Sequence, residues 1–331
     1  MKQILRLLCA IVLTATVHAQ ARDPLASWND GPTKRRIVAF VTAVIEQGGK
    51  DFVPPPERIA VFDNDGTLWV EQPIYAQFGF AFDRVKALAP SHPEWKIEAP
   101  FNDVLEGNLK AVAASGEAAL VKLLIATNTG TTTAEFTQEV SDWMARAKHP
   151  RFKRPYTDLA YQPMIELLTY LRENGFRTYI VSGGTVEFMR PWTDRVYGIP
   201  AEQVIGTTFV TRYDKQPDGV PVLLREPKID FMDNGPGKPV AIQQTIGRRP
   251  ILAFGNSDGD EEMLEWVAAG DTLHFEALVH HTDAVREYAY DRMSDVGRLD
   301  HALDEAKANK WAIVDMKRDW KQIFAFEGTA R

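Results

Sequence analysis

The chain is 331 residues long, 45% hydrophobic and 25% charged, with a formal net charge of -7. These are ordinary globular proportions, which exclude a disordered or fibrous polymer and allow one large domain with an insertion or two modest ones. The acidic balance argues against nucleic acid as a partner, because polyanion binders concentrate lysine and arginine.

Residues 1–19 read as a secretory signal peptide. Lys2 and Arg6 give a basic start, an apolar run follows from Leu7 to Val17, and Val17-His18-Ala19 forms a small-x-small cleavage signal before Gln20. The run is too short to span a bilayer comfortably, so the mature chain is expected in the periplasm or outside the cell, with no membrane partner after cleavage. Loss of Lys2 and Arg6 takes the formal charge from -7 to -9, and loss of Cys9 removes the one cysteine. An oxidising compartment then finds no thiol to attack. No later stretch approaches transmembrane length, and no internal repeat is visible.

In the mature chain, Ile37, Phe40, Val41, Val44 and Ile45 recur at helical spacing and stop at Gly48-Gly49, which predicts a helix packed on the main domain. Pro54, Pro55 and Pro56 break the chain. Residues 58–62 then form a short apolar run, the pattern of a buried parallel strand, which ends in Asp63-Asn64-Asp65-Gly66-Thr67. From Ile74 to about His149 the texture is helical, with one stripe through Ile74, Phe78, Phe82 and Val85 and another through Phe136, Val140, Trp143 and Met144. Residues 73–155 are therefore expected to form a mainly helical insertion between core segments 20–72 and 156–331.

The second half alternates strand and helix. A helix over 163–174 closes at Gly175, and a strand over 177–181 leads into Ser182-Gly183-Gly184, where a second helix is expected to begin. Strands are expected over 203–209, 251–254 and 278–280, and helices over 237–246 and 260–269. Such alternation predicts an α/β, doubly wound parallel sheet covered on both faces.

Ligands of such a sheet sit beyond the carboxyl ends of its strands. Polar residues there fall in three places: 63–67, 182–184 and the acidic loop 255–260. Asp63 and Asp65, at i and i+2 with a glycine following, can face one pocket, one free to attack and the other to move a proton. An Asp-x-Asp-Gly loop equally describes a calcium turn or a helix cap. Ser182, with Gly183 and Gly184, offers a hydroxyl and backbone N–H donors to a phosphate oxygen. Lys238 can add a cation, and the acidic loop can complete a magnesium site with Asp63.

Taken together, these segments resemble the haloacid dehalogenase superfamily, nearest its phosphoserine-phosphatase-like branch. The four family motifs stand in family order as Phe62-Asp63-Asn64-Asp65-Gly66-Thr67-Leu68, Val181-Ser182-Gly183-Gly184, Lys238, and Phe254-Gly255-Asn256-Ser257-Asp258-Gly259-Asp260. The helical segment matches the position of that branch's cap.

The resemblance implies a magnesium-dependent phosphatase acting on a small phosphomonoester. Asp63 would be the nucleophile that becomes an aspartyl phosphate, and Asp65 the acid and base. Ser182, Gly183 and Lys238 would hold phosphoryl oxygens. Mg2+ would be held by the Asp63 carboxylate, the Asp65 carbonyl, and Asn256 and Asp260. Asn256 departs from the family, which usually has an aspartate there; an amide oxygen can coordinate but adds no charge.

Lys238 is preferred to Lys228 because it precedes the helix leading into the acidic loop. His280, His281 and Asp283 read as a sheet cap, since neighbouring strand residues point to opposite faces. Glu71, Gln72 and Pro73 are placed along the passage between core and insertion, as are Arg190 and Trp192, while Trp95, Trp143, Trp311 and Trp320 read as packing. Three rival readings share the motifs: a phosphotransferase, a phosphonate hydrolase, and an exported protein that only binds a phosphorylated ligand.

Overall fold

The computed structural model of the chain describes residues 23–329, so the leader expected at 1–19 lies outside the described residues. In chain order the main elements are α1 (Pro32–Ile45), β1 (Ile59–Phe62), α2 (Ala76–Leu88), α3 (Phe101–Glu106), α4 (Leu109–Ala114), α5 (Glu117–Asn128), α6 (Thr133–Arg146), α7 (Gln162–Glu173), β2 (Arg177–Thr185), α8 (Val186–Tyr197), β3 (Val204–Lys215), β4 (Pro221–Phe231), α9 (Gly237–Ile246), β5 (Leu252–Gly255), α10 (Glu261–Ala268), β6 (Phe275–His280), α11 (His301–Ala308), β7 (Ala312–Asp315) and α12 (Met316–Asp319). The strands form one sheet in the order β4-β3-β2-β1-β5-β6-β7, parallel throughout except for β4, which pairs antiparallel with β3. This is the doubly wound α/β fold that the alternation predicts.

Every residue of β1 is buried, as expected of a strand covered on both faces. Its side chains alternate: Ala60 and Phe62 join the core beneath α1, α7 and α8, while Ile59 and Val61 join the core beneath α9, α10 and α11. Because β1 is flanked by β2 on one side and β5 on the other, its carboxyl end lies where the winding reverses, the usual position of a ligand crevice.

Between β1 and β2 the chain is helical, and its apolar residues divide between two cores. Phe136, Val140, Trp143 and Met144 of α6 join the main core, whereas Phe82, Val85, Trp95, Phe101, Val104, Val112 and Leu123 form a separate one. A capping box between Thr132 and Glu135 starts α6.

Several boundaries differ from expectation. Strand β2 runs on through Ser182, Gly183 and Gly184 to Thr185 with a register shift against β3, so α8 starts at Val186 and not at the glycines. Strand β3 extends to Lys215 because β4 pairs with it in a long hairpin that the sequence did not announce. That hairpin reaches the helical segment: the Arg225 N–H donates to the Thr131 carbonyl at 3.0 Å, and the Gly130 N–H to the Arg225 carbonyl at 3.0 Å. The Arg225 side chain is buried 3.8 Å over the Phe136 ring.

The two ends of the described chain are joined. Trp28 and Trp320 form an antiparallel bridge with their rings edge to face, 5.9 Å apart, and the backbones of Asn29 and Asp319 and of Lys321 and Ser27 hydrogen bond on either side. Helix α1 lies on the sheet nearby, with Phe40 against Phe275 and Phe176.

Candidate active site

The backbone of Asp63 continues the β1 ladder, its N–H donating to the Phe254 carbonyl at 2.9 Å, so its side chain emerges at the crevice. The chain then turns. Leu68 N–H bonds the Asn64 carbonyl at 2.8 Å, Gly66 N–H bonds the Trp69 carbonyl at 2.8 Å, and Gly66 adopts φ +76°. Only glycine fits at 66, because a Cβ would lie 2.1 Å from Nδ2 of Asn256 and 2.4 Å from Oε1 of Glu71. His281 supports this turn from β6's end, donating from Nε2 to the Gly66 carbonyl at 2.8 Å while Nδ1 faces Glu287 at 3.1 Å.

Lys238, at the start of α9, is buried in the centre. Its ammonium donates to Oδ1 of Asp63 at 2.7 Å, to Oδ1 of Asp260 at 2.5 Å and to the Val181 carbonyl at 2.9 Å. Burial alone would push this lysine's pKa down, but the charges of Asp260, Asp63 and Asp233 win and hold it above the ordinary value. Burial and the Asp260 charge push Asp63 well up, with Lys238 opposing. Lys228 lies exposed on β4.

Asp65 is held by Trp69, whose indole N–H donates to Oδ1 at 2.8 Å, and Trp69 is stacked on Trp192 with centroids 4.4 Å apart. Burial raises the Asp65 pKa to about 6, against the lowering effect of the Trp69 hydrogen bond. Ser182 accepts the Gly184 N–H at 3.1 Å. Gln77 of α2 exchanges two hydrogen bonds with Thr185, at 2.7 and 2.9 Å, tying the helical segment to the end of β2.

A cavity of about 210 Å³ brings together Asp63, Asp65, Glu71, Ser182, Gly183, Asn234 and Lys238 from the core and Tyr75, Phe78, Leu120, Val121 and Leu124 from the helical segment. Asn256 and Asp260 lie directly behind it, both with no exposed surface. Oδ2 of Asp260 accepts the N–H groups of Asn256 and Ser257 at 2.9 and 3.0 Å and the Ser257 hydroxyl at 3.1 Å. Asp258 instead accepts the N–H groups of Asp300 and Ala302, starting α11. Asp233 is also fully buried, and burial raises its pKa to about 7 against the lowering effect of the Lys238 charge and the Ser182 backbone N–H.

Among the described residues no three His, Cys, Asp or Glu side chains converge to hold a metal unaided. The donor set nonetheless suits Mg2+, which commonly takes one or two carboxylates and fills its octahedron with water and substrate phosphate. Here Asp63, Asp65, Glu71, Asp233 and Asp260 crowd around the one ammonium of Lys238 among the described residues, an excess of acid that a divalent cation would balance.

The motifs of the sequence therefore meet at one place, while several contributors carried no motif. Trp69 follows Asp65 by four residues with no motif to mark it. His281, expected to cap the sheet, instead holds the turn that carries Asp63 and Asp65. Glu71 was placed only in the passage, yet it accepts hydrogen bonds from the Asn256 amide and the Tyr290 hydroxyl, both at 2.7 Å. His280 points elsewhere, toward Asp291, and Arg190 bonds the Ala201 carbonyl.

Residues 60–265 match the model of the haloacid dehalogenase-like hydrolase family. Among solved structures, the chain is similar to a conserved functionally unknown protein from Anaerococcus prevotii, at 15% identity and TM-score 0.55, covering 86% of this chain and 91% of that one. It is also similar to a protein of unknown function from Bordetella pertussis, at 16% identity and TM-score 0.49 over 78% and 99% of the two chains. A phosphoserine phosphohydrolase-like protein from Francisella tularensis is similar at 16% identity and TM-score 0.41 over 79% and 95%. No curated protein sequence matches.

Proposed function

Since the chain belongs to the haloacid dehalogenase-like hydrolases, we propose that it hydrolyses a small phosphomonoester in two steps through an aspartyl phosphate on Asp63. The observation that carries this reading is the placement of Asp63 and Asp65 on one cavity wall with Ser182, Gly183 and Lys238.

In the first step a carboxylate oxygen of Asp63 attacks phosphorus and the ester bond to the leaving alcohol breaks. Asp65, protonated, gives its proton to the departing oxygen. In the second step the same carboxylate takes a proton from water, the water oxygen bonds phosphorus, and the acyl-phosphate bond breaks, releasing phosphate and restoring Asp63. An Asp65 pKa of about 6 suits a group that must alternate between acid and base near neutrality. Lys238 neutralises phosphoryl oxygens, and the Ser182 hydroxyl with the Gly183 backbone orients them for in-line transfer. Mg2+, held by the Asp63 carboxylate, the Asp65 carbonyl and acidic groups around Asn256 and Asp260, would supply the charge that lets one anion approach another.

The helical segment 73–155 acts in this reading as a cap that excludes bulk water, and its apolar lining, Phe78, Leu120, Val121 and Leu124, limits the leaving group to a small molecule. The pattern of residues 1–19 puts the activity in the periplasm or outside the cell. The test is phosphate release by the mature chain from a panel of phosphomonoesters, with Mg2+ and with chelator, beside Asp63→Asn. Metal-dependent turnover lost in Asp63→Asn supports the proposal; turnover that survives the substitution defeats it.

A further inference from the structure

The acidic loop carries Asn256 where a charged ligand would serve a divalent cation, and the structure shows what accompanies that loss of charge. The amide of Asn256 is committed at both ends: Oδ1 accepts the Thr67 hydroxyl at 3.0 Å, and Nδ2 donates to Oε1 of Glu71 at 2.7 Å. An amide that points its nitrogen at a carboxylate and its oxygen at a hydroxyl is oriented as a bracket for that carboxylate.

We infer that Glu71, braced by Asn256, supplies the second carboxylate of the divalent-cation site beside Asp63. The inference rests on the metal-dependent phosphatase reading and deepens it. Glu71 is 2% exposed yet lines the same cavity as Asp63 and Asp65. Asn256 and Tyr290 both bond its Oε1, while Oε2 accepts no hydrogen bond among the described residues. The other acidic candidate, Asp260, has both oxygens occupied, one by Lys238 and one by three donors of its own loop.

The space around Glu71 is tailored on two sides. Gly66 and Gly297 both have positive φ, and a Cβ on Gly297 would lie 1.7 Å from Oε1 and 2.9 Å from Oε2. Gly66, the residue after Asp65, is pressed against the same carboxylate, which sets Glu71 beside the turn whose Asp65 carbonyl is expected at the metal. A negative charge absent from the loop is thus restored from a segment 185 residues away in sequence.

The test is Mg2+ binding to the full mature chain by titration calorimetry, with no substrate present. Glu71→Gln should weaken Mg2+ binding by at least about tenfold, and Asn256→Asp in that background should recover most of it by returning the charge to the loop. Asn256→Ala, which removes the brace and keeps the Glu71 carboxylate, should weaken Mg2+ binding, by less than Glu71→Gln does. Unchanged binding by Glu71→Gln, no rescue of that variant by Asn256→Asp, or a greater loss in Asn256→Ala than in Glu71→Gln would overturn the inference. Failure here is separable from failure of the phosphatase reading, which turns on turnover by Asp63→Asn.

Discussion

The indole N–H of Trp69 ends 2.8 Å from Oδ1 of Asp65, so one oxygen of the proposed acid and base is fixed by a ring that is itself stacked on Trp192. Fixing one oxygen leaves the other to face the cavity. Trp69→Phe keeps the stacking and deletes the donor. It should lower kcat by about three- to tenfold, in proportion to a hydrogen bond to a charged group worth on the order of 1 kcal/mol, with KM little changed. Steady-state kinetics on the best substrate of the panel would show this, and an unchanged kcat would separate Trp69 from the chemistry.

Asp233 makes stability depend on pH. Its native carboxyl holds its proton to about 7, whereas the unfolded chain releases it near the ordinary 3.8. Between those values the native state binds more protons, so this group's contribution falls as pH rises through that window and is fully lost above it. Asp233→Asn should therefore gain on wild type between about pH 4 and about pH 8, by up to roughly 4 kcal/mol at some 1.4 kcal/mol per unit. Urea unfolding at the two pH values measures it; parallel shifts of both proteins would contradict the assignment.

Arg225 is buried between the Phe136 and Phe209 rings; among the described residues its Nε and Nη1 are unpartnered and Nη2 makes a 3.5 Å contact to Glu187, and burial lowers its pKa to about 10. Its value lies in filling space more than in charge. Arg225→Met should stay within about 1 kcal/mol of wild type, while Arg225→Ala should cost roughly 2 to 4 kcal/mol through the cavity it leaves. Equal destabilisation by both, read from denaturant midpoints, would mean that the charge matters most.

The paired hydrogen bonds between Gln77 and Thr185 fasten α2 to the strand that carries Ser182. Gln77→Leu should lower kcat/KM by about tenfold, since a misplaced cavity wall costs orientation, and should raise the protease sensitivity of the helical segment. If kcat/KM holds while sensitivity rises, the link serves stability alone.

The parts of this fold legible in sequence are those with strong local signals. Strand β1 is a run of four buried apolar residues, α9 and α10 stand where their periodicity puts them, and the motif residues fall at strand ends. Strand β4 was missed because Pro227 interrupts it and its residues are largely half-exposed or exposed, as an edge strand allows. Strand β7 has only four residues, too few for a period to show. The glycines after Ser182 suggest a helix start, but the strand continues through them to Thr185 with a register shift, a local irregularity that glycine also commonly marks. At the site, Glu71 finds Asn256 and Tyr290 at separations of 185 and 219 residues, and no local pattern can express such partners.

The bridge between Trp28 and Trp320 also sets the order in which this protein can come into being. Phe176 and Pro163 meet Phe40 and Trp28 midway along the chain, but the rest of the surface that receives Trp28 and α1 is built by late residues, among them Phe275, Asp319 and Trp320, so α1 is fully covered only when synthesis is nearly finished. Its apolar face must meanwhile be shielded from other chains, and contacts of such sequence separation form slowly. Were the chain exported in extended form, as is proposed from the pattern of residues 1–19, that delay would cost nothing, because all its partners would arrive together.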